Sequence, residues 1–185
     1  MNPHRIDFEN YHLIPLKEEM IEQYANEVMR LYGNEEIVRY SGFSIIKNTK
    51  EAKQLLSKYC TKADFYIWFL LLGEKYIGDI SLTVDLYHQF ASVGCFLDSK
   101  YWGRGIMTKA LKELLFYAYA EEGLHRIEAQ IHQNNDRSIR FFEKFGFVYE
   151  ATLKENFFVN GTFYDSKLYR MLFDEYMNQY GKMDF

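Results

Sequence analysis

The stretch Asp98-Ser99-Lys100-Tyr101-Trp102-Gly103-Arg104-Gly105-Ile106-Met107-Thr108-Lys109 is the most informative about the fold. It ends a strand-like run at 91–98 and opens a helical run at 104–121, whose apolar stripe is Met107, Leu111, Leu114 and Ala118. Glycine has no Cβ atom, so Gly103 and Gly105 let the backbone approach an anion closely, and the first-turn N–H groups of a helix favour negative charge. Arg104 would add a positive charge and Thr108 a hydroxyl donor. Because glycines between a strand and a helix often form only a turn, the stretch indicates a phosphate site only together with its surroundings.

Strands and helices alternate on both sides of this junction. Before it, the pattern predicts a strand at 12–16, helices at 17–31 and 48–59, and three strands at 65–72, 76–84 and 91–98 that form an antiparallel meander. Asn48 and Glu51 have capping-box spacing at the start of the second helix. After it come a strand at 124–132, a helix at 138–145, and two strands within 147–171 joined at Asn160-Gly161. This order predicts a mixed α/β fold centred on a twisted sheet.

Length and composition fit one folded domain at 1–185. Hydrophobic residues make up 48% of the chain and only two residues are prolines, so neither disorder nor a proline-rich linker is indicated. The net charge of -4, without a long basic run, argues against nucleic acid as a partner. With no membrane-spanning run and no secretory leader, we expect a cytoplasmic protein without a membrane partner. Cys60 and Cys95 are isolated, which predicts buried, inert thiols and no metal site.

A second motif follows the glycine loop at the distance of one helix and one strand. It contains Asn135, Ser138, Phe142 and the tripeptide Phe145-Gly146-Phe147. Together with Trp102-Gly103-Arg104-Gly105, the run at 124–129 and Asn160-Gly161, it resembles the GNAT superfamily of acetyltransferases, in particular the Rim-type branch that acetylates ribosomal-protein N-termini. The resemblance covers 77–172 well and the first 60 residues loosely. It implies the GNAT fold, a mostly antiparallel twisted sheet flanked by helices in which a splayed strand pair binds acetyl-CoA.

The resemblance also implies which residues bind acetyl-CoA, the acetyl donor. Backbone groups of the strand at 91–98 would pair with the pantetheine arm, and one N–H would polarise the thioester carbonyl. Asn135 would hydrogen-bond the pantetheine, cap the next helix, or do both. Ser138, the one catalytic candidate, would support the departing thiolate or else be a solvent-facing hydroxyl. The implied cofactor-binding residues are Cys95, Phe96, Leu97, Trp102, Gly103, Arg104, Gly105, Ile106, Met107, Thr108, Asn135 and Ser138, with no metal ligand.

The sequence departs from the family pattern at positions that bear on proton transfer. Phe142 stands where many relatives carry a tyrosine proposed as general acid, and a phenyl ring donates no proton. Ser92 and Phe157 stand at two positions where relatives carry a glutamate base. We therefore expect water to relay the amine proton to a more distant group. The candidate acceptors on predicted strands are His132, Asp79 and Glu150, although a structural role explains each of them more readily.

Three functions are compatible with the sequence. The Rim-type resemblance implies acetyl transfer to a primary amine, foremost the N-terminal amine of a protein. The net negative charge and the run at 155–161 favour a spermidine-type polyamine acetyltransferase as the alternative. Because the general acid and base residues of the family are replaced, the chain is also compatible with a non-catalytic CoA-binding regulatory protein. The aromatic residues near Asn160-Gly161 are either an acceptor pocket or alternating core and edge positions of two strands. Whether the strand at 163–171 joins two copies into a homodimer is left open.

Overall fold

Eight strands form one continuous sheet. The computed structural model describes residues 1–159 and 161–181, so Asn160 of the predicted hairpin turn lies outside the described residues. The sheet order is β1-β2-β3-β4-β5-β6-β8-β7, and only β5 and β6 run parallel. This mixed, mostly antiparallel sheet confirms the predicted fold class. The strands are β1 (Ile6–Phe8), β2 (Tyr11–Pro15), β3 (Phe65–Leu72), β4 (Lys75–Asp85), β5 (Phe90–Leu97), β6 (Arg126–His132), β7 (Val148–Val159) and β8 (Thr162–Leu172).

Helices cover both faces of the sheet. Within the described ranges they are α1 (Ile21–Tyr32), α2 (Glu35–Val38), α3 (Thr49–Thr61), α4 (Ile106–Phe116), α5 (Asp136–Phe145) and α6 (Phe173–Tyr180). A π-helical turn at Tyr117–Glu121 extends α4, so the predicted helix at 104–121 is α-helical only in its first part. Asn48 Oδ1 accepts the Glu51 N–H at 2.9 Å, which confirms Asn48 as a cap. None of these described helices is long and apolar enough to cross a bilayer.

The central strands are buried on both faces, which explains their nearly continuous apolar sequence. In β3, Trp68 and Leu70 pack into the core beneath α4 and α5. Phe69 and Leu71, which point the other way, pack into the core beneath α1 and α3. The predicted apolar stripe of the long helix, which includes Leu111, is buried as expected. These two cores fix the sheet between two helical layers and so fix the strand ends that form the site.

The structure contains three elements that the sequence pattern did not predict. β1 has three residues and α2 has four, which is too short for either strand or helix periodicity to be recognised. α6 places Phe173, Tyr176, Met177 and Tyr180 at helical spacing against the core, although only Tyr176 is fully buried. The Tyr176 hydroxyl donates to the Lys112 carbonyl at 2.9 Å and attaches α6 to α4. The helical spacing of these apolar residues is the signal by which the sequence could have predicted α6.

The β7–β8 hairpin contains a bulge next to a site residue, Phe157. The β7–β8 register shifts between Leu153 and Phe157. Within the shifted segment, Glu155 has a φ of 49° and its N–H donates to Asp165 at 3.0 Å. Phe157 follows this bulge, and its ring faces His132 with ring centroids 5.7 Å apart. Residues 166–170 of β8 lie between β6 and β7, so this part of its backbone offers no free edge to a second copy.

Candidate active site

The parallel strands β5 and β6 separate partway along their length. Residues 90–92 of β5 pair with residues 126–128 of β6, and their pairing stops there. Beyond that point β5 follows β4 as far as Leu97, and β6 follows β8 as far as His132. A cavity of about 530 Å³ occupies the opening. The structure therefore contains the splayed strand pair that the resemblance implies.

Residues of the implied cofactor set converge on this cavity. They come from β5, from the glycine loop with the first turn of α4, and from the start of α5. All of them except Arg104 line the cavity: Cys95, Phe96, Leu97, Trp102, Gly103, Gly105, Ile106, Met107, Thr108, Asn135 and Ser138. The fold thus brings the three segments together, while the contacts of each residue with acetyl-CoA stay a prediction.

The glycine loop, residues 102–108, has the geometry of an anion cradle. Gly103 and Gly105 have φ values of 73° and 74°, a left-handed conformation that favours glycine. Gly105 is the N-cap of α4, and no side chain caps the first turn. A Cβ atom at either glycine would meet no protein atom within 4 Å, so the space beside the loop is open. Uncapped N–H groups facing open space fit the pyrophosphate of a CoA donor.

The arginine that reaches the cavity is Arg137, and Lys144 also lines it. The Arg104 guanidinium instead lies 5.5 Å from the centre of the Tyr101 ring, and Arg104 is absent from the cavity lining. Arg137, at the start of α5, lies 3.3 Å from the centre of the Trp102 ring and lines the cavity. Burial lowers the pKa of Arg137, yet an arginine remains charged at neutral pH. The Trp102 indole donates to the Leu97 carbonyl at 2.8 Å, which ties the loop to the end of β5.

Asn135 and Ser138 occupy the first turn of α5. Asn135 is the N-cap, and its Oδ1 accepts the Ser138 N–H at 3.2 Å. The capping role expected of Asn135 is therefore confirmed, and its contact with the cofactor stays a prediction. Ser138 is half-buried and lines the cavity, so a merely solvent-facing hydroxyl does not describe it.

A second group of lining residues forms an aromatic wall, defined as Tyr40, Phe43, His132 and Phe157. Tyr40 and Phe43 lie in the segment after α2, where the family resemblance is loose and no periodicity marks a site. Gly42 packs this segment against the hairpin, because a Cβ there would lie 3.5 Å from the Phe157 ring. Phe157 lines the cavity, and its part in an acceptor pocket stays a prediction. Sequence analysis missed Tyr40 and Phe43.

Of the three candidate proton acceptors, only His132 lines the cavity. Asp79 is buried and accepts hydrogen bonds from the Tyr32 and Tyr76 hydroxyls. Burial raises the pKa of Asp79 to about 7 despite these two hydrogen bonds. Glu150 is paired with Arg126, which lowers the pKa of Glu150. Neither Asp79 nor Glu150 lines the cavity, so either could receive the amine proton only through water, and that role stays a prediction.

The cavity contains little acid–base chemistry of its own. Among the described residues that line it, none is aspartate or glutamate. Phe142 lines it and packs edge-on against Phe141 and Phe147. Burial raises the pKa of the Cys95 thiol to about 12, as expected of an inert thiol. Both cysteines are only half-buried, however, which corrects the expectation of full burial.

A glycine loop below a splayed strand pair defines a coenzyme A-dependent acyltransferase. The acetyltransferase (GNAT) domain family matches residues 12–148. The chain belongs to this family, whose members are N-acetyltransferases that use acetyl-CoA as the donor. The predicted superfamily, enzyme class and co-substrate are therefore confirmed.

Two sequence relatives and one solved structure illustrate the range of the family. The chain is 37% identical over 106 residues to "Probable N-acetyltransferase YjcK" of Bacillus subtilis, covering 56% of this chain and 59% of the relative. It is 31% identical over 110 residues to the ribosomal-protein-serine acetyltransferase of Escherichia coli, covering 58% and 61%. The structure of spermidine N-acetyltransferase from Vibrio cholerae in complex with CoA and spermine superposes with a TM-score of 0.77 at 23% identity, covering 91% and 99%. This last likeness shows a shared fold. The chain thus spans about three-fifths of the length of these two sequence relatives.

Proposed function

We propose that this protein, acting as a single domain, transfers the acetyl group of acetyl-CoA to the N-terminal amine of a protein or peptide. The observation that carries the proposal is the absence of a carboxylate from the described cavity lining. An α-amine has a pKa of about 7.7–8.0, and an alkylamine such as lysine about 10.4. At pH 7.5 roughly a third of α-amines but only about one in a thousand alkylamines are neutral. A cavity without a carboxylate base therefore suits the α-amine.

The chain's own residues supply positioning and hydrogen bonds for this reaction. The free edge of β5 holds the pantetheine arm, and one of its N–H groups polarises the thioester carbonyl. The amine nitrogen attacks that carbonyl carbon, the C–N bond forms and the C–S bond breaks. Water takes the amine proton, and the Ser138 hydroxyl donates a hydrogen bond to the departing thiolate. A simple thiol has a pKa of about 8.5, so this thiolate leaves without a strong acid, which is consistent with Phe142.

The similarity to the ribosomal-protein-serine acetyltransferase supports a protein acceptor and the Rim-type branch. The second candidate is acetylation of a polyamine, which the acidic balance of the chain and its likeness to a spermidine acetyltransferase support. A polyamine carries several positive charges, and carboxylates are their usual partners in a binding site. The carboxylate-free lining therefore favours the protein N-terminus.

A turnover assay tests the proposal. The purified protein is incubated with acetyl-CoA and a panel of N-terminal peptides, polyamines and amino sugars, and release of CoA is measured. We expect peptides to be acetylated at least about 10-fold faster than polyamines at pH 7.5, because far more of their amine is neutral. Faster turnover of polyamines would establish the second candidate. Binding of acetyl-CoA without turnover of any amine would indicate a regulatory CoA-binding protein.

A further inference from the structure

His132 is a buried histidine whose ring is held in a fixed environment. It is the last residue of β6, its side chain is 3% exposed, and it lines the cavity. Its ring contacts Tyr40, Phe157 and Tyr164 at centroid distances of 5.0, 5.7 and 4.7 Å. Rings on three sides leave it little freedom to rotate.

Hydrogen bonding determines which nitrogen of His132 carries the proton. The backbone N–H of Asn134 donates to His132 Nδ1 at 3.1 Å, so Nδ1 is an acceptor. Burial lowers the pKa of His132, which keeps the ring neutral at physiological pH. A neutral imidazole has one donor and one acceptor nitrogen, so the proton is on Nε2. His132 is therefore a hydrogen-bond donor and has no free lone pair with which to act as a base.

Contacts and burial indicate that the Nε2–H group borders the cavity. No described residue accepts its hydrogen bond. Glu27 Oε2 is the one described side-chain atom that is both fully buried and without a partner. His132 Nε2 is thus not sealed inside the protein, and the cavity is the space that its ring borders. In the free protein water can accept this hydrogen bond, and a ligand that displaces the water must offer an acceptor oxygen in its place.

We propose that His132 is an acceptor-binding residue whose Nε2–H donates to the first carbonyl oxygen of the N-terminal residue to be acetylated. The inference rests on the proposed function and deepens it. In an N-terminal residue this oxygen lies on the carbon next to the amine-bearing carbon, whereas a polyamine has no such oxygen. Tyr40 and Phe157 then pack against the side chain of that residue, which favours an apolar one. His132 thereby selects peptide N-termini over polyamines, because only the peptide has this carbonyl oxygen.

Two amines that differ only by the carboxamide test this proposal. L-phenylalanine amide has the carbonyl oxygen, and phenethylamine is the same molecule without its carboxamide. His132→Phe keeps an aromatic ring and removes the donor. We expect His132→Phe to lower kcat/KM for L-phenylalanine amide about 10-fold, mostly through KM, and to change it less than about 2-fold for phenethylamine. The ratio between the substrates cancels any general effect on folding or on the donor site.

The matched control is His88→Phe, which makes the same substitution at an exposed histidine of the β4–β5 turn and should change neither rate. An equal loss with both amines, or no loss with either, would overturn the proposal. If neither amine is turned over, calorimetry with CoA-saturated protein measures L-phenylalanine amide binding directly, and equal affinity in wild type and His132→Phe would refute the role of His132. A wild-type enzyme that acetylates only polyamines contradicts the proposed function itself, whatever the variant does.

Discussion

The glycine loop and the aromatic wall line the same cavity but are built in different ways. The loop is a continuous stretch, residues 102–108, whose shape follows from two left-handed glycines and the start of one helix. The wall combines residues from the segment after α2, the end of β6 and the bulged part of β7. In the proposed function, the local structure binds the CoA donor that the family shares. The assembled aromatic wall selects the amine.

The largest effect on acetyl-CoA binding is expected from a substitution in the glycine loop. Gly105→Glu places a side chain and a negative charge beside the uncapped first turn of α4, where the phosphates are expected. We expect the Kd for acetyl-CoA, measured by calorimetry, to rise at least about 100-fold, since like-charge contact and lost access to the N–H groups act together. The acceptor end of the cavity should be unaffected.

Gly123→Glu is the matched control for backbone strain. Gly123 has a φ of 69° and, like Gly105, has no protein atom within 4 Å of a Cβ position. Both variants therefore carry the same strain of about 1–2 kcal/mol for a left-handed non-glycine residue. Gly123 is outside the cavity lining and should retain wild-type affinity. Equal losses in the two variants would show that strain, and not the phosphate cradle, explains Gly105.

The contrast between a local loop and an assembled wall also explains which parts of the structure could be predicted from the sequence. The long helix, the meander and the residues around the glycine loop are predictable, because strand alternation, helical stripes and caps are encoded within a few residues. Phe157 lies beside a bulge that no local pattern marks, and the segment of Tyr40 and Phe43 packs against the distant hairpin through Gly42. Arg104 and Arg137 show the same limit. Arg104 belongs to the glycine-loop motif, but it is Arg137 that packing places at the cavity.

A second prediction concerns the support behind the aromatic wall. The Tyr32 ring, whose hydroxyl donates to Asp79 at 3.1 Å, packs 6.0 Å from Phe43. Because the pKa of Asp79 is raised from 3.8 to about 7 in the folded protein, its stabilising contribution is complete below pH 4 and is lost as pH rises through 7. Relative to Asp79→Asn, the wild-type free energy of unfolding should fall by up to about 4 kcal/mol between pH 4 and 8. Urea unfolding at several pH values measures this difference.

Asp85→Asn provides a control of opposite sign. The hydrogen bond from His88 lowers the pKa of Asp85, so its contribution to stability is present at neutral pH and is lost as pH falls. The two variants should therefore diverge from wild type in opposite pH directions. If the free energies of unfolding of the wild type and of Asp79→Asn change in parallel with pH, the pKa of Asp79 is not raised.

A third prediction separates catalysis from binding at the start of α5. Ser138→Ala removes the hydroxyl proposed to donate to the thiolate, and we expect kcat to fall about 10- to 100-fold with acetyl-CoA affinity nearly unchanged. Phe142→Tyr should restore part of the loss by supplying another hydroxyl from the cavity lining. Steady-state kinetics of the single and double variants measure both effects, with Ser57→Ala on α3 as the control. Wild-type kcat in Ser138→Ala would leave water as the proton partner.

The smallest expected effect concerns the two roles of Asn135, and a second asparagine in the chain separates them. Asn135 caps α5 and Asn48 caps α3, each accepting the N–H three residues later, at 3.2 and 2.9 Å. Asn135→Ala and Asn48→Ala should each lower the free energy of unfolding by about 1 kcal/mol, the usual cost of a lost cap. Only Asn135 lines the cavity, so only its variant should also weaken CoA binding, by about 5- to 10-fold for one lost hydrogen bond. Thermal unfolding with and without CoA reports both quantities, because a ligand raises the melting temperature according to its affinity. If CoA raises the melting temperature of the two variants equally, Asn135 is a helix cap and the pantetheine is bound by the β5 backbone without it.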